Sequence, residues 1–147
     1  MALFKFTKAI LNGDQIDVYN HGDMSRDFTY IDDLVNGMRL LADAIPSVEY
    51  RPNAYEYAED SLSKVAPFRV VNIGNSEPAK LLDFIAAIEK SIGIEALKNF
   101  MPMQAGDVPA TWADTSLLEM LTGYAPVTDV ATGAKLFANW YREYYEV

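Results

Sequence analysis

The sequence predicts an α/β fold, or a fragment of α+β character, in which a small mixed sheet is flanked by helices. Short β-forming runs alternate along the chain with stretches of helical periodicity. One of these runs, residues 68–74, is almost continuously apolar, which is typical of a strand that is covered on both faces. Half of the 147 residues are hydrophobic, so the chain can build a core without cross-links.

The first third of the chain predicts two helices separated by two strands. Residues 2–11 place apolar side chains on one helical face, and the Asn-Gly pair that follows favours the end of that helix. Residues 16–19 and 28–31 consist mainly of strand-forming residue types. A second helix is predicted over residues 32–44, with the Asp-Asp pair at its start as the cap and acidic first turn.

The middle of the chain predicts an irregular loop, a strand and an amphipathic helix. Residues 46–67 contain three prolines and scattered tyrosines without any periodicity, which predicts an irregular insertion rather than a domain linker. After the 68–74 strand, Ser76 is expected to cap a helix whose first turn contains Pro78. Apolar residues at helical spacing extend that helix to residue 92, where a glycine follows.

The last third predicts a strand at residues 99–103, a loop at 104–109, a short helix over 115–121 and a final helix from about residue 128. The whole of residues 1–147 is interpreted as one portion of a domain. Because the chain opens directly inside a helix, we expect it to be a fragment of a longer protein.

Composition and charge exclude several classes of function. Without cysteine and with a single histidine, the chain has no disulfide or thiolate metal site, and a Ser–His–Asp triad is disfavoured. The net charge of −9 argues against binding of nucleic acid through its phosphates. No apolar run is long enough to span a bilayer and no signal peptide is visible, so we expect a cytoplasmic protein.

Arg26 is the one plausible anion-binding residue. It lies beside a predicted strand and after a turn-rich run, where a guanidinium can hold a phosphate or carboxylate through two parallel hydrogen bonds. Taken alone, a surface arginine paired with Asp23 or Asp27 is the simpler interpretation. The sequence contains no glycine-rich loop of the G-x-G-x-x-G or Walker type, so we do not expect it to bind a dinucleotide by that route.

Residues 25–33 and 102–114 together resemble the C-terminal half of the extended short-chain dehydrogenases, which have a Rossmann-type fold. The resemblance is to the NAD-dependent nucleotide-sugar epimerases, and most of all to the UDP-glucuronate 4-epimerases of bacterial capsule synthesis. Residues 1–6, 71–75 and 140–145 fit the same group in the same order, so the resemblance covers essentially the whole chain.

This resemblance implies a UDP-sugar as the ligand and suggests roles for five residues. Arg26 matches an arginine that grips the UDP diphosphate, and Asp107 matches a carboxylate near the ribose hydroxyls. Asp17 and Tyr19 match a strand that holds the uracil. Gln104 departs from the many relatives that carry a second diphosphate arginine at this position, and glutamine is usual in the glucuronate group.

The resemblance also implies what the chain lacks. The family binds NAD through a glycine-rich turn and uses a Tyr-x-x-x-Lys pair in catalysis, and this sequence contains neither. We therefore expect the substrate-binding portion of an epimerase, inactive alone and with no catalytic, cofactor-binding or metal-binding residue of its own. The alternatives are a stand-alone nucleotide-sugar-binding module and a protein-interaction module. The edge of the 68–74 strand is expected to favour a non-native homo-oligomer.

Overall fold

A computed structural model describes residues 2–47 and 60–147. Met1 lies outside the described residues. So do residues 48–59, which belong to the irregular insertion predicted over residues 46–67. The described part of that insertion contains neither helix nor strand. In chain order the elements are α1 (Ala2–Asn12), β1 (Gln15–Val18), β2 (Ser25–Asp27), α2 (Ile31–Asp43), β3 (Pro78–Lys80), α3 (Leu81–Ile92), β4 (Leu97–Phe100), β5 (Ala110–Thr111), α4 (Ser116–Thr122) and α5 (Val130–Tyr145).

The chain divides into two compact units, each of which is built from separate segments. The first unit consists of Met1–Phe28, Pro78–Thr111 and Thr128–Val147, and the second consists of Thr29–Glu77 and Trp112–Val127. The first unit holds two small sheets. In one, β1 pairs in parallel with β4. In the other, β2 is the middle strand and pairs antiparallel with β3 and parallel with β5. A small mixed sheet with flanking helices is therefore confirmed, and the described residues add a second, parallel sheet of two strands.

The core of the first unit lies between three helices and the β1–β4 pair. Helix α3 packs against both α1 and α5, and α1 packs on β1. The α3 helix ends as the sequence predicts, because Gly93 adopts a φ of 79° and Arg142 donates a hydrogen bond of 2.7 Å to the Ile92 carbonyl. The core side chains are Ile10, Ile16, Val18, Phe84, Ile85, Ile88, Ile92, Ala134 and Ala138.

Thr7 is a polar residue in this apolar environment. Its side chain in α1 is fully buried, and its hydroxyl has no hydrogen-bond partner in the described part of the chain. We expect Thr7→Val to raise the free energy of unfolding by about 1 kcal/mol, because valine has nearly the same shape and removes an unsatisfied group. Urea denaturation measures the change. In the control Thr122→Val, a hydroxyl that donates to Leu118 O at 2.7 Å is lost, so the sign should reverse.

Glu89 connects α3 to the following strand. Burial by itself raises the pKa of Glu89, but hydrogen bonds from the Lys98 ammonium and the Ala96 N–H outweigh it and lower the pKa below its ordinary value of 4.5. The folded state therefore favours the ionised form. This contribution is present above pH 4.5 and is lost as the pH falls through the lowered folded-state value.

Glu89→Gln is accordingly expected to cost about 1 kcal/mol of unfolding free energy at pH 7. The difference from the unsubstituted chain should shrink as the pH falls below 4.5, since protonated Glu89 and glutamine are then alike. Urea denaturation at a series of pH values tests this. A difference that stays constant down to acid pH would contradict the assignment.

The second unit is built on α2 and α4, which pack together. Gly37 permits close packing, since a Cβ placed there would lie 3.4 Å from a side-chain carbon of Ile73. The Tyr124 hydroxyl donates a hydrogen bond of 2.8 Å to the buried Asp33 carboxylate, and burial together with that carboxylate raises the pKa of Tyr124. Asp33 thus contributes a buried contact as well as the predicted acidic first turn.

The prediction of a strand at residues 68–74 is wrong, since this segment forms no ladder. The described elements of the second unit are both helices, so no strand is available to pair with it. Instead the Ser61 side chain bonds to the backbone of Val70, and Phe68 and Val70 are 59% and 58% exposed.

Self-association through residues 68–74 stays a prediction. Light scattering over a range of concentrations measures it, and a monomer at every concentration would contradict it.

Two predicted boundaries are also wrong. Residues 28–31 are not a strand: β2 ends at Asp27, and the ring of Phe28 stacks on Phe84 at a centroid distance of 3.9 Å. Aromatic character at this position therefore reflects core packing. The cap of α2 is the backbone of Tyr30, without a side-chain hydrogen bond, so the predicted aspartate cap is wrong.

Ser76 does not cap a helix. It has a φ of 55°, and its hydroxyl donates to the Ala113 carbonyl at 2.9 Å and contacts the Thr115 hydroxyl at 2.7 Å. Pro78 begins strand β3, and α3 starts only at Leu81. The predicted strand at 99–103 is likewise displaced, to Leu97–Phe100, by its register with β1. Within residues 2–47 and 60–147, each helix is too short or too polar to span a bilayer.

Candidate functional site

The candidate site is built on β2, the middle strand of the three-stranded sheet. Arg26 lies at its centre and is paired with Ala79 on one side and Thr111 on the other. The sequence predicts Arg26 beside a strand and outside it, and this is wrong, because Arg26 lies within β2 and pairs with a strand on each side.

The guanidinium of Arg26 makes four hydrogen bonds within this unit. Nη2 donates to Asp107 Oδ1 at 2.7 Å and to the Val108 carbonyl at 2.8 Å. Nη1 donates to the Ser25 carbonyl at 2.8 Å and to the Pro109 carbonyl at 3.2 Å. The carboxylate that Arg26 contacts is thus Asp107, 81 positions away, so the simpler pairing with Asp23 or Asp27 is wrong.

A tight turn presents Asp107 to Arg26. The Asp107 N–H donates to the Gln104 carbonyl at 3.2 Å, and Gly106 occupies the third position of this turn with a φ of 85°. A positive φ at that position is the reason for the glycine. The Ser25 N–H donates to the Pro109 carbonyl at 2.8 Å, which fixes the far end of the loop to β2. The side chains of Asp107 and Gln104 are both exposed.

Asp17 lies in β1 of the other sheet of the same unit, whereas Tyr19, which the sequence predicts at the end of this strand, lies just after it. The Asp17 Oδ1 accepts a hydrogen bond of 2.8 Å from Asn99 Nδ2, its partner in the parallel β1–β4 ladder. Tyr19 opens a single turn, Tyr19–Gly22, in which Asn20 and His21 have positive φ angles of 49° and 51°. Neither Asp17 nor Tyr19 shares a hydrogen bond with the Arg26–Asp107 pair.

The structure therefore brings together three of the five predicted residues, Arg26, Asp107 and Gln104, on one loop and one strand. Sequence reasoning missed the carbonyls of Val108 and Pro109 and the side chain of Asn99. A carbonyl carries no sequence signal, and the role of Asn99 depends on strand register, which is set over long range. In residues 2–47 and 60–147, no group of three or more His, Cys, Asp and Glu side chains is placed to hold a metal ion.

Comparison with known proteins identifies relatives along the whole chain. The sequence profile of the NAD dependent epimerase/dehydratase family matches residues 1–55. A protein from Rhizobium meliloti (strain 1021) named probable UDP-glucuronate 4-epimerase is 52% identical over 145 residues, which are 99% of this chain and 42% of that protein. Protein CapI of Staphylococcus aureus is 47% identical over 148 residues, covering 99% of this chain and 43% of that protein.

The solved structures agree with the sequences. The UDP-glucuronic acid 4-epimerase from Bacillus cereus, in complex with UDP-glucuronic acid and NAD, superposes with a TM-score of 0.76 at 30% identity, covering 99% of this chain and 40% of that one. The resemblance to the nucleotide-sugar epimerases is thereby confirmed, as is the α/β class of a Rossmann-type extended short-chain dehydrogenase. The chain spans less than half of the length of these relatives.

Proposed function

We propose, from the premise that this chain is related over its whole length to UDP-glucuronate 4-epimerases, that it is the UDP-sugar-binding portion of such an enzyme. The observation that carries the proposal is the contact between Arg26 and Asp107, which joins the two motifs that resemble the family most. A cation beside a carboxylate suits a ligand that combines a diphosphate with vicinal hydroxyls. The relatives are named for, or hold, this kind of ligand.

Each predicted residue has a role in this proposal. Arg26 holds the diphosphate through charge-assisted hydrogen bonds, and Asp107 accepts hydrogen bonds from the ribose hydroxyls. Asp17 and Tyr19 line the uracil end of the ligand. Gln104 is neutral, so it adds hydrogen-bonding capacity without a second positive charge, and Arg26 provides most of the electrostatic attraction.

The catalytic groups of the family are not among the residues of this chain. In the family, NAD would supply the hydride-transfer chemistry. The sequence contains neither a glycine-rich turn nor a Tyr-x-x-x-Lys pair, so the residues present do not fit NAD and no catalytic step is assigned to them. The chain acts on the substrate side, and we expect it to be inactive alone.

Isothermal titration calorimetry tests the binding. UDP-glucuronate and UDP should both bind, whereas ADP-glucuronate, in which the base is changed, and free glucuronate should bind much more weakly or not at all. Saturable binding of free glucuronate in preference to UDP would contradict a site organised around the nucleotide. A chain that binds none of the four ligands would refute the proposal.

A coupled assay tests the expected lack of catalysis. The purified chain is incubated with UDP-glucuronate and NAD, and UDP-galacturonate is measured by chromatography. We expect no product above the background of the buffer. Product formation would show that the chain is an enzyme by itself.

Binding without turnover fits both an epimerase portion and a stand-alone nucleotide-sugar-binding module. Of these two we favour the epimerase portion, because the chain matches relatives more than twice its length.

A further inference from the structure

The Arg26 guanidinium has little free hydrogen-bonding capacity in this structure. Each terminal nitrogen of an arginine carries two hydrogens, and both nitrogens of Arg26 make two hydrogen bonds to the protein. Only the Nε–H is without a partner in the described residues. A diphosphate that is held side-on, by the free Nε–H and by one N–H of Nη2, must therefore replace one of the two acceptors that Nη2 has in this structure.

The four acceptors differ in how firmly they are held. Ser25 O belongs to the middle strand of a sheet, and Pro109 O also accepts the Ser25 N–H at 2.8 Å. Val108 O belongs to the neighbouring residue and moves only with the backbone. Asp107 is different, since its carboxylate reaches Arg26 through a side chain that is 38% exposed. Rotation of one side chain removes it without breaking the sheet.

Asp107 has one other contact. Its Oδ1 accepts the Val108 N–H at 2.9 Å as well as the Arg26 Nη2–H, while its Oδ2 accepts no hydrogen bond in the described part of the chain. The two side chains of the ion pair are 26% and 38% exposed, and ion pairs near the surface contribute little to stability. A diphosphate carries more negative charge than a carboxylate, so it competes effectively for the same guanidinium.

We propose that Asp107 is an internal anion that occupies Arg26 in the free chain, and that the diphosphate of the ligand displaces it. The inference rests on the proposed function and extends it to the order of events. The released carboxylate has two acceptor oxygens for the ribose hydroxyls. Arg26 and Asp107 thus exchange a contact with each other for contacts with adjacent parts of one nucleotide.

The exchange predicts an effect that a merely structural ion pair does not produce. Asp107→Asn removes the competing charge but keeps the shape and the hydrogen-bonding oxygen that holds the Val108 N–H. Inorganic pyrophosphate has the charge of a diphosphate and no ribose, so Asp107 can only compete with it. Asp107→Asn should therefore bind pyrophosphate about threefold to fivefold more tightly than the unsubstituted chain. If Asp107 only held the loop in place, its loss would leave the affinity unchanged or weaken it.

The experiment is an NMR titration of the unsubstituted chain, Asp107→Asn and a control, Asp23→Asn, with pyrophosphate at low salt. The control removes a nearby carboxylate that does not contact Arg26, so it corrects for the general change of charge. In the unsubstituted chain the Val108 amide signal should also shift when pyrophosphate binds, because Asp107 leaves it. A gain in affinity specific to Asp107→Asn supports the exchange. Affinity for pyrophosphate that is equal, weaker or absent in Asp107→Asn, or a gain matched by Asp23→Asn, overturns it.

The same three proteins are titrated with UDP-glucuronate, which separates the two proposals. If UDP-glucuronate binds and the pyrophosphate gain is absent, the exchange is wrong and the proposed function stands. If the pyrophosphate gain is present and UDP-glucuronate does not bind, the exchange stands and the proposed ligand is wrong. A circular dichroism melt of each variant verifies that all three chains are folded.

Discussion

Arg26→Ala is expected to weaken the binding of UDP-glucuronate roughly a hundredfold. Hydrogen bonds to charged groups contribute about 1.5–3 kcal/mol each, and the loss of about 3 kcal/mol corresponds to that factor in Kd. The effect should be this large because Gln104 is neutral and no other cation contacts Asp107 in the described residues. Calorimetry of the substituted chain measures the change.

Two companion variants sharpen this prediction. Arg26→Lys keeps the charge and loses the planar fork, so its affinity should lie between those of the unsubstituted chain and Arg26→Ala. Arg39→Ala removes an exposed arginine of α2 and should leave the Kd within a factor of two. Equal losses in Arg26→Ala and Arg39→Ala would mean that net charge, and not the site, attracts the nucleotide.

Ile85→Ala is expected to cost about 3–4 kcal/mol of unfolding free energy. Ile85 is 0% exposed in the middle of α3, the helix that packs against both α1 and α5. Removing three methyl or methylene groups there leaves a cavity that three packed helices cannot readily close. Urea denaturation followed by circular dichroism gives the change.

Leu82→Ala on the same helix is the matched control. Leu82 is 41% exposed, so its loss should cost about 1 kcal/mol or less. If Ile85→Ala cost no more than Leu82→Ala, the core would not lie on the face of α3 that the structure gives it. The difference between the two unfolding free energies also shows whether the apolar spacing in the sequence identifies the side chains of α3 that stabilise the fold.

Helix α3 shows what local sequence signals can predict. Its apolar spacing and its terminal glycine are properties of a dozen consecutive residues, and the helix ends where they indicate. Residues 68–74 show the opposite case. Their apolar, β-branched composition fits a strand, but a strand needs a partner, and composition does not say where one is.

The candidate site also combines features that the sequence predicts with features that depend on long-range strand pairing. The resemblance associated Arg26 and Asp107 with neighbouring parts of one ligand, and the structure brings them into contact. Their direct ion pair was not predicted, because it depends on how β2 pairs with β5, where Arg26 lies opposite the distant Thr111. The placement of Arg26 inside a strand follows from the same register. Long-range pairing therefore limited the sequence prediction of the site more than residue chemistry did.

The most direct test of the central claim is a crystal structure of the chain with UDP-glucuronate. We predict that the diphosphate lies within hydrogen-bonding distance of the Arg26 guanidinium, at about 2.7–2.9 Å, with Asp107 turned to the ribose hydroxyls. An intact Arg26–Asp107 ion pair with the nucleotide bound elsewhere would contradict the claim.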